Sequence, residues 1–228
     1  PPFNISDWGQ EKLLDDYRWK YGIPPKGNAN YAWLQHMISK LSANGKAAIV
    51  LANGSLTAGG QEAEIRKNLI ESDLIDCIIA MPANLFYTVT IPCSVWIINR
   101  NKRQKGHTLF INATNMGTMV TRKLRELLED DTHNDISTIA DTYHDYQNDE
   151  NYEDKLGFCK KATLDEIKNN NYVLTPGRYV GVENNKEDDI PFDEKMKNIT
   201  TELSKQFKES HELEEIIKKN LEDIGYEI

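Results

Sequence analysis

Short apolar runs that alternate with helically spaced apolar residues are the feature that most limits the fold of this chain. Lys46–Leu51 and Leu74–Ala80 are continuous apolar runs of strand length, which is typical of strands buried on both faces of a sheet. Between them, Glu62–Ser72 has apolar residues every three or four positions and predicts a helix. The order strand, helix, strand indicates an α/β domain with a mainly parallel sheet.

Two further strands and one further helix extend this pattern. Ser94–Asn99 and Thr108–Asn112 are apolar runs separated by the polar stretch Arg100–His107. We expect them to pair as an antiparallel hairpin whose basic loop is solvated. Tyr31–Leu41 predicts a helix for which Asn30 is a candidate N-cap.

The charge of the chain changes sign along its length. Residues 1–125 carry 15 Lys and Arg against 9 Asp and Glu, a balance of +6, and residues 126–228 carry 12 against 27, a balance of −15. Phosphate neutralisation supplies much of the affinity of a DNA-binding protein. If DNA is a substrate, we therefore expect another protein to do most of the holding.

Beyond residue 128 the chain becomes acidic and poorer in apolar residues. We expect Asp130–Asp154 to contain one short helix and a loop, and Asn184–Asp189 to be a polar linker. From Phe192 onward a narrow apolar stripe predicts one long helix or two, packed on its own domain or on another chain. These changes divide the chain into three parts: residues 1–128, 129–190 and 191–228.

Cysteine usage and hydropathy indicate the cellular setting. Cys77, Cys93 and Cys159 are widely spaced, odd in number and form no C-x-x-C pair. We interpret them as buried free thiols in a reducing compartment, the cytoplasm, rather than as metal ligands. No apolar run reaches the roughly 18 residues of a bilayer crossing, and the start of the chain lacks the pattern of a secretory signal, so we expect no membrane contact.

The tripeptide Pro1-Pro2-Phe3 matches a turn with a specific chemistry. The exocyclic amino group of adenine is a poor nucleophile because its lone pair is delocalised into the ring. An Asn-Pro-Pro turn followed by an aromatic residue offers the amino hydrogens a side-chain oxygen and a proline carbonyl that has no competing N–H. The aromatic ring offers an extruded base a stacking face. Taken alone, the tripeptide is weak evidence, because it also fits an extended, structureless terminus.

An ordered series of segments behind this turn gives it weight. They are Pro1–Asn4, Asp16–Trp19, Tyr21–Pro25, Asn28–Ile38, Asn53–Leu56, Gly59-Gly60-x-Glu62, Ile65–Lys67, Leu74–Asp76, Pro82–Tyr87, Ile91-Pro92, Phe110–Ala113 and Arg178–Val180. In these segments the chain resembles the modification subunits of type I restriction–modification systems, which are adenine-N6 DNA methyltransferases. The resemblance covers about residues 1–180, and the remaining residues resemble the variable helical tail of that family.

The resemblance implies a fold, a reaction and partners. The fold is the second half of a Rossmann-like methyltransferase domain with an antiparallel terminal hairpin, followed by a helical tail that contacts another subunit. The reaction is methyl transfer from S-adenosylmethionine to adenine N6, with Pro1, Pro2 and Phe3 as catalytic residues and Phe3 as the stacking face. The partners are DNA, a specificity subunit that reads the DNA sequence, and a restriction subunit.

The same resemblance implies that two parts of the site would precede Pro1: the Asn of the turn and the glycine-rich motif that binds S-adenosylmethionine. We therefore expect the chain to be an incomplete, inactive fragment with no cofactor-binding residue of its own.

Two alternatives remain open. One is a non-catalytic assembly module that docks onto the specificity subunit through its helical tail. The other is an enzyme that methylates glutamine side chains of proteins. That family usually has Tyr after the prolines and lacks both the Asn30–Leu34 segment and the acidic helical tail found here.

Several conspicuous residues have simpler structural interpretations. We expect His36 to be structural, and Tyr31, Trp33 and Trp96 to pack in the core. The remaining candidates lie at the start of the second predicted helix: Gly59-Gly60 as a surface turn or as the hinge of a loop over the site, and Glu62 as a charge that stabilises the helix N-terminus.

Overall fold

The computed structural model describes residues 1–149, 151–182 and 192–226. It divides the chain into two units, Pro1–Glu183 and Asn184–Ile228. The expected boundary after residue 128 lies inside the first unit, and the expected linker Asn184–Asp189 lies outside the described residues. The three-part division of the chain stays a prediction.

The first unit alternates helices with strands. Its helices are α1 (Asn30–Lys40), α2 (Gly60–Glu71), α3 (Asp135–Asn148) and α4 (Leu164–Asn169). Its strands are β1 (Lys46–Ala52), β2 (Ile75–Ala80), β3 (Cys93–Asn99), β4 (His107–Asn112), β5 (Thr118–Met119), β6 (Arg125–Glu126) and β7 (Cys159–Thr163). Short 3-10 turns cover Gln10–Lys12, Asn53–Leu56 and Pro176–Arg178. The α/β class and the predicted positions of α1, α2, β1 and β2 are confirmed.

The central sheet is mixed, with the strand order β1-β3-β2-β4-β7. β3 runs antiparallel to both β1 and β2, β2 is parallel to β4, and β7 is antiparallel to β4. The predicted hairpin between Ser94–Asn99 and Thr108–Asn112 is therefore wrong, because the antiparallel hairpin forms one strand earlier, between β2 and β3. The expectation of a mainly parallel sheet is wrong for the same reason, since β3 separates β1 from β2.

The loop between β3 and β4 has a structural role that its composition hides. The ammonium of Lys102 is buried and donates to Asp73 Oδ1 at 2.6 Å and to the carbonyl of Ile75 at 3.0 Å. Arg100 donates to the carbonyl of Ile38, at the end of α1. The expectation of a merely solvated basic loop is therefore wrong for Lys102.

The core lies on both faces of the sheet. One face packs against α1, α2 and α4, and the other packs against α3. Tyr31 and Trp96 are fully buried on the first face, where their rings meet edge to face at 5.9 Å, as predicted. Trp33 is 37% exposed, so its predicted place in the core is wrong. It lies two positions after Tyr31, and that spacing places it on nearly the opposite side of the helix.

A buried carboxylate joins α3 to the sheet. Asp76 Oδ2 accepts hydrogen bonds from Asn99 Nδ2 at 3.0 Å, from the Tyr143 hydroxyl at 2.9 Å and from Gln147 Nε2 at 2.6 Å. Burial, together with the Asp76 charge, raises the pKa of Tyr143, so its hydroxyl stays protonated as a donor. Two residues of α3 and one of β3 thus depend on a single oxygen.

The described part of the second unit contains one long helix, α5 (Phe192–Asp223), which agrees with the predicted helical tail. Its apolar stripe is 42–67% exposed at the following residues: Met196, Ile199, Leu203, Phe207, Leu213, Ile216, Ile217 and, just after the helix, Ile224. None of the helices in the described ranges has the length and apolar content that a membrane crossing requires.

We expect Asp76→Ala to lower the free energy of unfolding by about 3–5 kcal/mol, because three donors, two of them buried, lose their acceptor. Urea denaturation measures the loss. Asp141→Ala, at an exposed position of α3, is the matched control and should stay within about 0.5 kcal/mol of the unaltered protein. Equal losses in the two variants would contradict the structural role of Asp76.

Candidate functional site

The connections that follow β1, β2 and β4 meet at one edge of the sheet. These three strands run in the same direction, so their last residues, Ala52, Ala80 and Asn112, lie at that edge. The backbone N–H of Ala113 donates to the carbonyl of Ala80 at 2.9 Å, which ties the ends of β2 and β4 together. Ligands of α/β sheets bind at the carboxyl ends of the strands, so this edge is the candidate site.

Phe3 reaches this edge through the loop that follows β2. Its ring meets the ring of Phe86 edge to face, with centroids 6.1 Å apart and an interplanar angle of 77°. Phe3 is half-buried, Phe86 is 39% exposed, and Pro1 and Pro2 are exposed. Two accessible aromatic rings and a pair of prolines therefore lie together.

Hydrogen bonds among three asparagines anchor the chain at Asn4, the residue that follows Phe3. The backbone N–H of Asn4 donates to Asn30 Oδ1 at 3.1 Å, and Asn30 Nδ2 donates back to Asn4 Oδ1 at 2.9 Å. Asn28 Nδ2 also donates to Asn4 Oδ1, at 3.4 Å. Asn30 is buried, and Asn4 has a φ of 53°, a left-handed conformation that Asn tolerates better than most residues. The amino end of α1 therefore fixes the backbone beside Phe3.

The prediction that Asn30 is the N-cap of α1 is wrong. The N-cap is Ala29, and Asn30 is the first residue of the helix, with its amide turned to Asn4. The backbone N–H of Ala29 donates to the carbonyl of Ile5 at 2.9 Å, which continues the attachment along the chain. The interpretation of Pro1-Pro2-Phe3 as part of a structureless terminus is therefore wrong.

The loop that carries Phe86 is closed on itself. The backbone N–H of Asn84 donates to the carbonyl of Thr90 at 3.4 Å, and Phe86 forms a β-bridge with Val89. The sequence placed Phe86 in a family-like segment but gave it no role. The signal that could have found it is the aromatic pair Phe86-Tyr87 directly after a buried strand.

A buried polar cluster supports the turn that follows β1. The Tyr31 hydroxyl donates to the carbonyl of Ser55 at 2.7 Å, and Arg66 Nη1 donates to the carbonyl of Ala58 at 2.8 Å. Glu62 lies in the first turn of α2, as expected, and burial raises its pKa while Arg66 opposes that effect. Gly60 begins the same helix with a φ of 60°. These residues position the turn that follows β1.

A second aromatic concavity lies beside α1. A cavity of about 190 Å³ is lined by Trp8, Leu13, Arg18, Trp19, Ala29, Ala32, Trp33 and His36. Arg18 is held by two hydrogen bonds to Asp16, of 2.7 and 2.6 Å, and also contacts His36 Nδ1 at 2.9 Å, in agreement with a structural histidine. The Arg18 charge is thus already neutralised, and the prolines of the turn do not line this cavity.

The three thiols lie within the sheet, and Cys93 pairs with Ala52 at the candidate edge. Cys77, Cys93 and Cys159 are buried and unpaired, and burial raises the pKa of each. Within the described part of the chain, no group of three or more His, Cys, Asp or Glu is arranged to hold a metal ion.

Comparison with known proteins confirms the resemblance. Residues 1–188 match the family model described as N-6 DNA methylase. The chain is 54% identical over its full length to the type I restriction enzyme HindI methylase subunit of Haemophilus influenzae, of which it covers 51%. It is 44% identical over 99% of its length to the MjaIX methylase subunit of Methanocaldococcus jannaschii, of which it covers 41%. The chain thus spans about half the length of the curated relatives it matches.

A solved structure extends the similarity to the fold. The type I restriction-modification system methyltransferase subunit from Streptococcus thermophilus is 31% identical, with a TM-score of 0.69. The alignment covers 80% of this chain and 37% of that one.

We expect Asn30→Ala to free the segment around Phe3 while leaving α1 folded. Losing hydrogen bonds worth about 1–2 kcal/mol should speed amide exchange of the peptide that contains Asn4 by about tenfold. Hydrogen exchange followed by mass spectrometry on the native protein measures this. Lys40→Ala, at the exposed far end of α1, is the control. Unchanged exchange near Asn4 in Asn30→Ala would contradict the role of the amide pair.

Proposed function

Because the chain belongs to the N-6 DNA methylase family, we propose that it forms the base-binding part of an adenine-N6 DNA methyltransferase, the methylase subunit of a type I restriction–modification enzyme. The observation that carries the proposal is the contact between Phe3 and Phe86 beside the Pro1-Pro2 pair, at the carboxyl edge of the sheet. The catalytic roles of Pro1, Pro2 and Phe3 are part of this proposal.

The proposed role of the prolines is to accept a hydrogen bond from the target amino group. The carbonyl of Pro1 precedes a residue that has no N–H, so no local donor competes for the turn. Accepting one amino hydrogen draws electron density onto the adenine nitrogen and makes its lone pair more available. The attachment of Asn4 to Asn30 fixes the backbone directly after Phe3. Such preorganisation lowers the cost of reaching the reactive geometry.

Phe3 and Phe86 would receive the extruded base. Without a base, two neighbouring rings satisfy each other edge to face, which is the arrangement observed. Extrusion of a base costs a few kcal/mol, and stacking on an aromatic side chain returns about 1–3 kcal/mol. Phe86 would provide the second stacking face, so that the extruded base would have an aromatic ring on each of its two faces.

The methyl donor is proposed to be S-adenosylmethionine, which would supply an electrophilic methyl group. In the described part of the chain, the residues around Phe3 are prolines, an aromatic ring and amides, which suit a flat base better than a charged sulfonium with a ribose. We assign no residue of this chain to the donor. The proposed task of the chain is to bind and orient the base.

The proposed partners are DNA, a specificity subunit and a restriction subunit, in the cytoplasm. α5 would provide the subunit contact, because its exposed stripe of Met196, Ile199 and Leu203 offers apolar surface to another protein. The balance of −15 over residues 126–228 makes the DNA backbone an unfavourable partner for this part of the chain. A non-catalytic assembly module would share α5 but would have no use for the aromatic pair.

We expect Phe3→Ala, in the assembled enzyme, to lower kcat/KM for adenine methylation by about tenfold to a hundredfold, since one stacking face is lost. Binding of S-adenosylmethionine should not change. Phe3→Tyr keeps the ring and should restore most of the activity. The measurement is transfer of labelled methyl groups to duplex DNA. Full activity of Phe3→Ala would contradict the base-binding role and favour the assembly module.

The stripe of α5 gives a separate expectation. Ile199→Asp combined with Leu203→Asp should weaken binding of the specificity subunit by about a hundredfold or more, because two apolar contacts worth about 1.5–3 kcal/mol each are replaced by charges. Lys205→Asp, at an exposed charged position of the same helix, is the control. Co-purification of the subunits at unchanged stoichiometry in the double variant would contradict this assignment.

A further inference from the structure

The hairpin formed by β5 and β6 carries free positive charge. β5 and β6 pair through Thr118 with Glu126 and Met119 with Arg125. At the turn between them, Arg122 and Lys123 are exposed. Neither side chain has a hydrogen bond or ion pair with any described residue, so two adjacent cations are available to a partner.

The turn is ordered, although its side chains are free. Thr121 Oγ1 accepts hydrogen bonds from the backbone N–H groups of Lys123 at 3.2 Å and Leu124 at 3.0 Å. The backbone N–H of Val120 donates to the carbonyl of Leu124 at 3.0 Å, and Leu124 is buried. A partner of Arg122 and Lys123 would therefore not have to order this backbone, and the conformational entropy lost by the protein would fall mainly on the two side chains.

The base of the hairpin is attached to the loop that carries Phe86. The backbone N–H of Arg125 donates to the carbonyl of Asn84 at 2.8 Å, two residues before Phe86. The guanidinium of Arg125 donates to the carbonyls of Met116 and Gly117 at 2.9 and 3.1 Å. Gly117 has a φ of 77°, and a Cβ there would lie 2.6 Å from the carbonyl oxygen of Glu126, so the two strands require glycine. The hairpin and the aromatic pair thus have a fixed relation.

Three other basic residues of the first unit are committed to internal partners. Lys102 binds Asp73 at 2.6 Å, Lys160 binds Glu166 at 2.8 Å, and Lys161 binds Asp149 at 3.3 Å. Arg122 and Lys123 differ from these because no described residue compensates their charge, and their hairpin is hydrogen-bonded through Arg125 to the loop that carries Phe86. Phosphate is the anion that necessarily accompanies a base in DNA.

We propose that Arg122 and Lys123 bind backbone phosphates of the DNA strand next to the extruded adenine. The inference rests on the proposed function and names a DNA contact within it. Phosphate contacts set position and carry no direct sequence information, so this hairpin would hold the strand while another subunit reads the sequence. An acidic protein surface is the other chemical match, but it would not explain the attachment of the hairpin to the loop of Phe86.

The test compares DNA binding of the assembled enzyme carrying Arg122→Gln and Lys123→Gln with that of the unaltered enzyme, between about 50 and 200 mM salt. Each phosphate contact contributes about 0.9 to the slope of log K against log salt, so the double variant should lose about 1.8. Lys123→Gln alone should lose about 0.9. Both variants should retain their thermal stability, because the side chains are exposed.

Lys105→Gln is the matched control. Lys105 is exposed in the loop between β3 and β4, which joins the strands at the opposite edge of the sheet. Its removal should leave the salt slope unchanged. KM for DNA should rise only in the hairpin variants, with kcat retained, because the contact positions the substrate and takes no part in the chemistry.

The outcomes separate the two proposals. Methylation by the unaltered enzyme together with an unchanged salt slope in the double variant would overturn the hairpin contact and leave the proposed function intact. No adenine methylation by the unaltered enzyme would overturn both. Loss of a subunit from the double variant, with its salt slope preserved, would show that the hairpin binds protein and would overturn the DNA contact.

Discussion

The reciprocal hydrogen bonds between Asn4 and Asn30 are the constraint on which the site depends. They join a short exposed segment to the buried first turn of α1, and α1 is packed on the sheet through Tyr31 and Leu34. This amide pair anchors the chain at Asn4, one residue after Phe3. With it, the ring meets Phe86 at the carboxyl edge of the strands. The proposed base site therefore consists of parts far apart in sequence, each fastened to the sheet independently.

The sequence predicted the positions of the helices and strands better than it predicted which strands pair. The continuity of their apolar runs located β1 and β2, although only β2 is buried along its whole length and the edge strand β1 leaves Ala48 exposed. The same property hid the strand order, since such a run fits beside any partner, and β3 was paired with β4 rather than placed between β1 and β2. The prediction for Trp33 was wrong because it followed the aromatic residue type, whereas the spacing from Tyr31 turns Trp33 away from the core.

The candidate site was also predicted only in part, because the sequence reveals residue types but not the contacts between residues that are distant in sequence. Pro1, Pro2 and Phe3 were readable because their residue types carry a chemical meaning in a fixed order. Asn30 was noticed only as a local cap, whereas its partner is 26 residues away. Phe86 had no assigned role, because its importance lies in a contact with Phe3. The charge difference between the two parts of the chain was visible in the sequence, but which cations remain free emerged only when Lys102, Lys160 and Lys161 had been paired.

In the proposed site, the target base stacks between Phe3 and Phe86. The most direct measurement replaces the target adenine of a duplex with 5-iodouracil, irradiates its complex with the assembled enzyme, and identifies the crosslinked residue by mass spectrometry. A base received at the proposed site should crosslink to Phe3 or Phe86. Crosslinking to Trp8 or Trp33, in the aromatic cavity beside α1, would contradict the claim and move the base to that cavity.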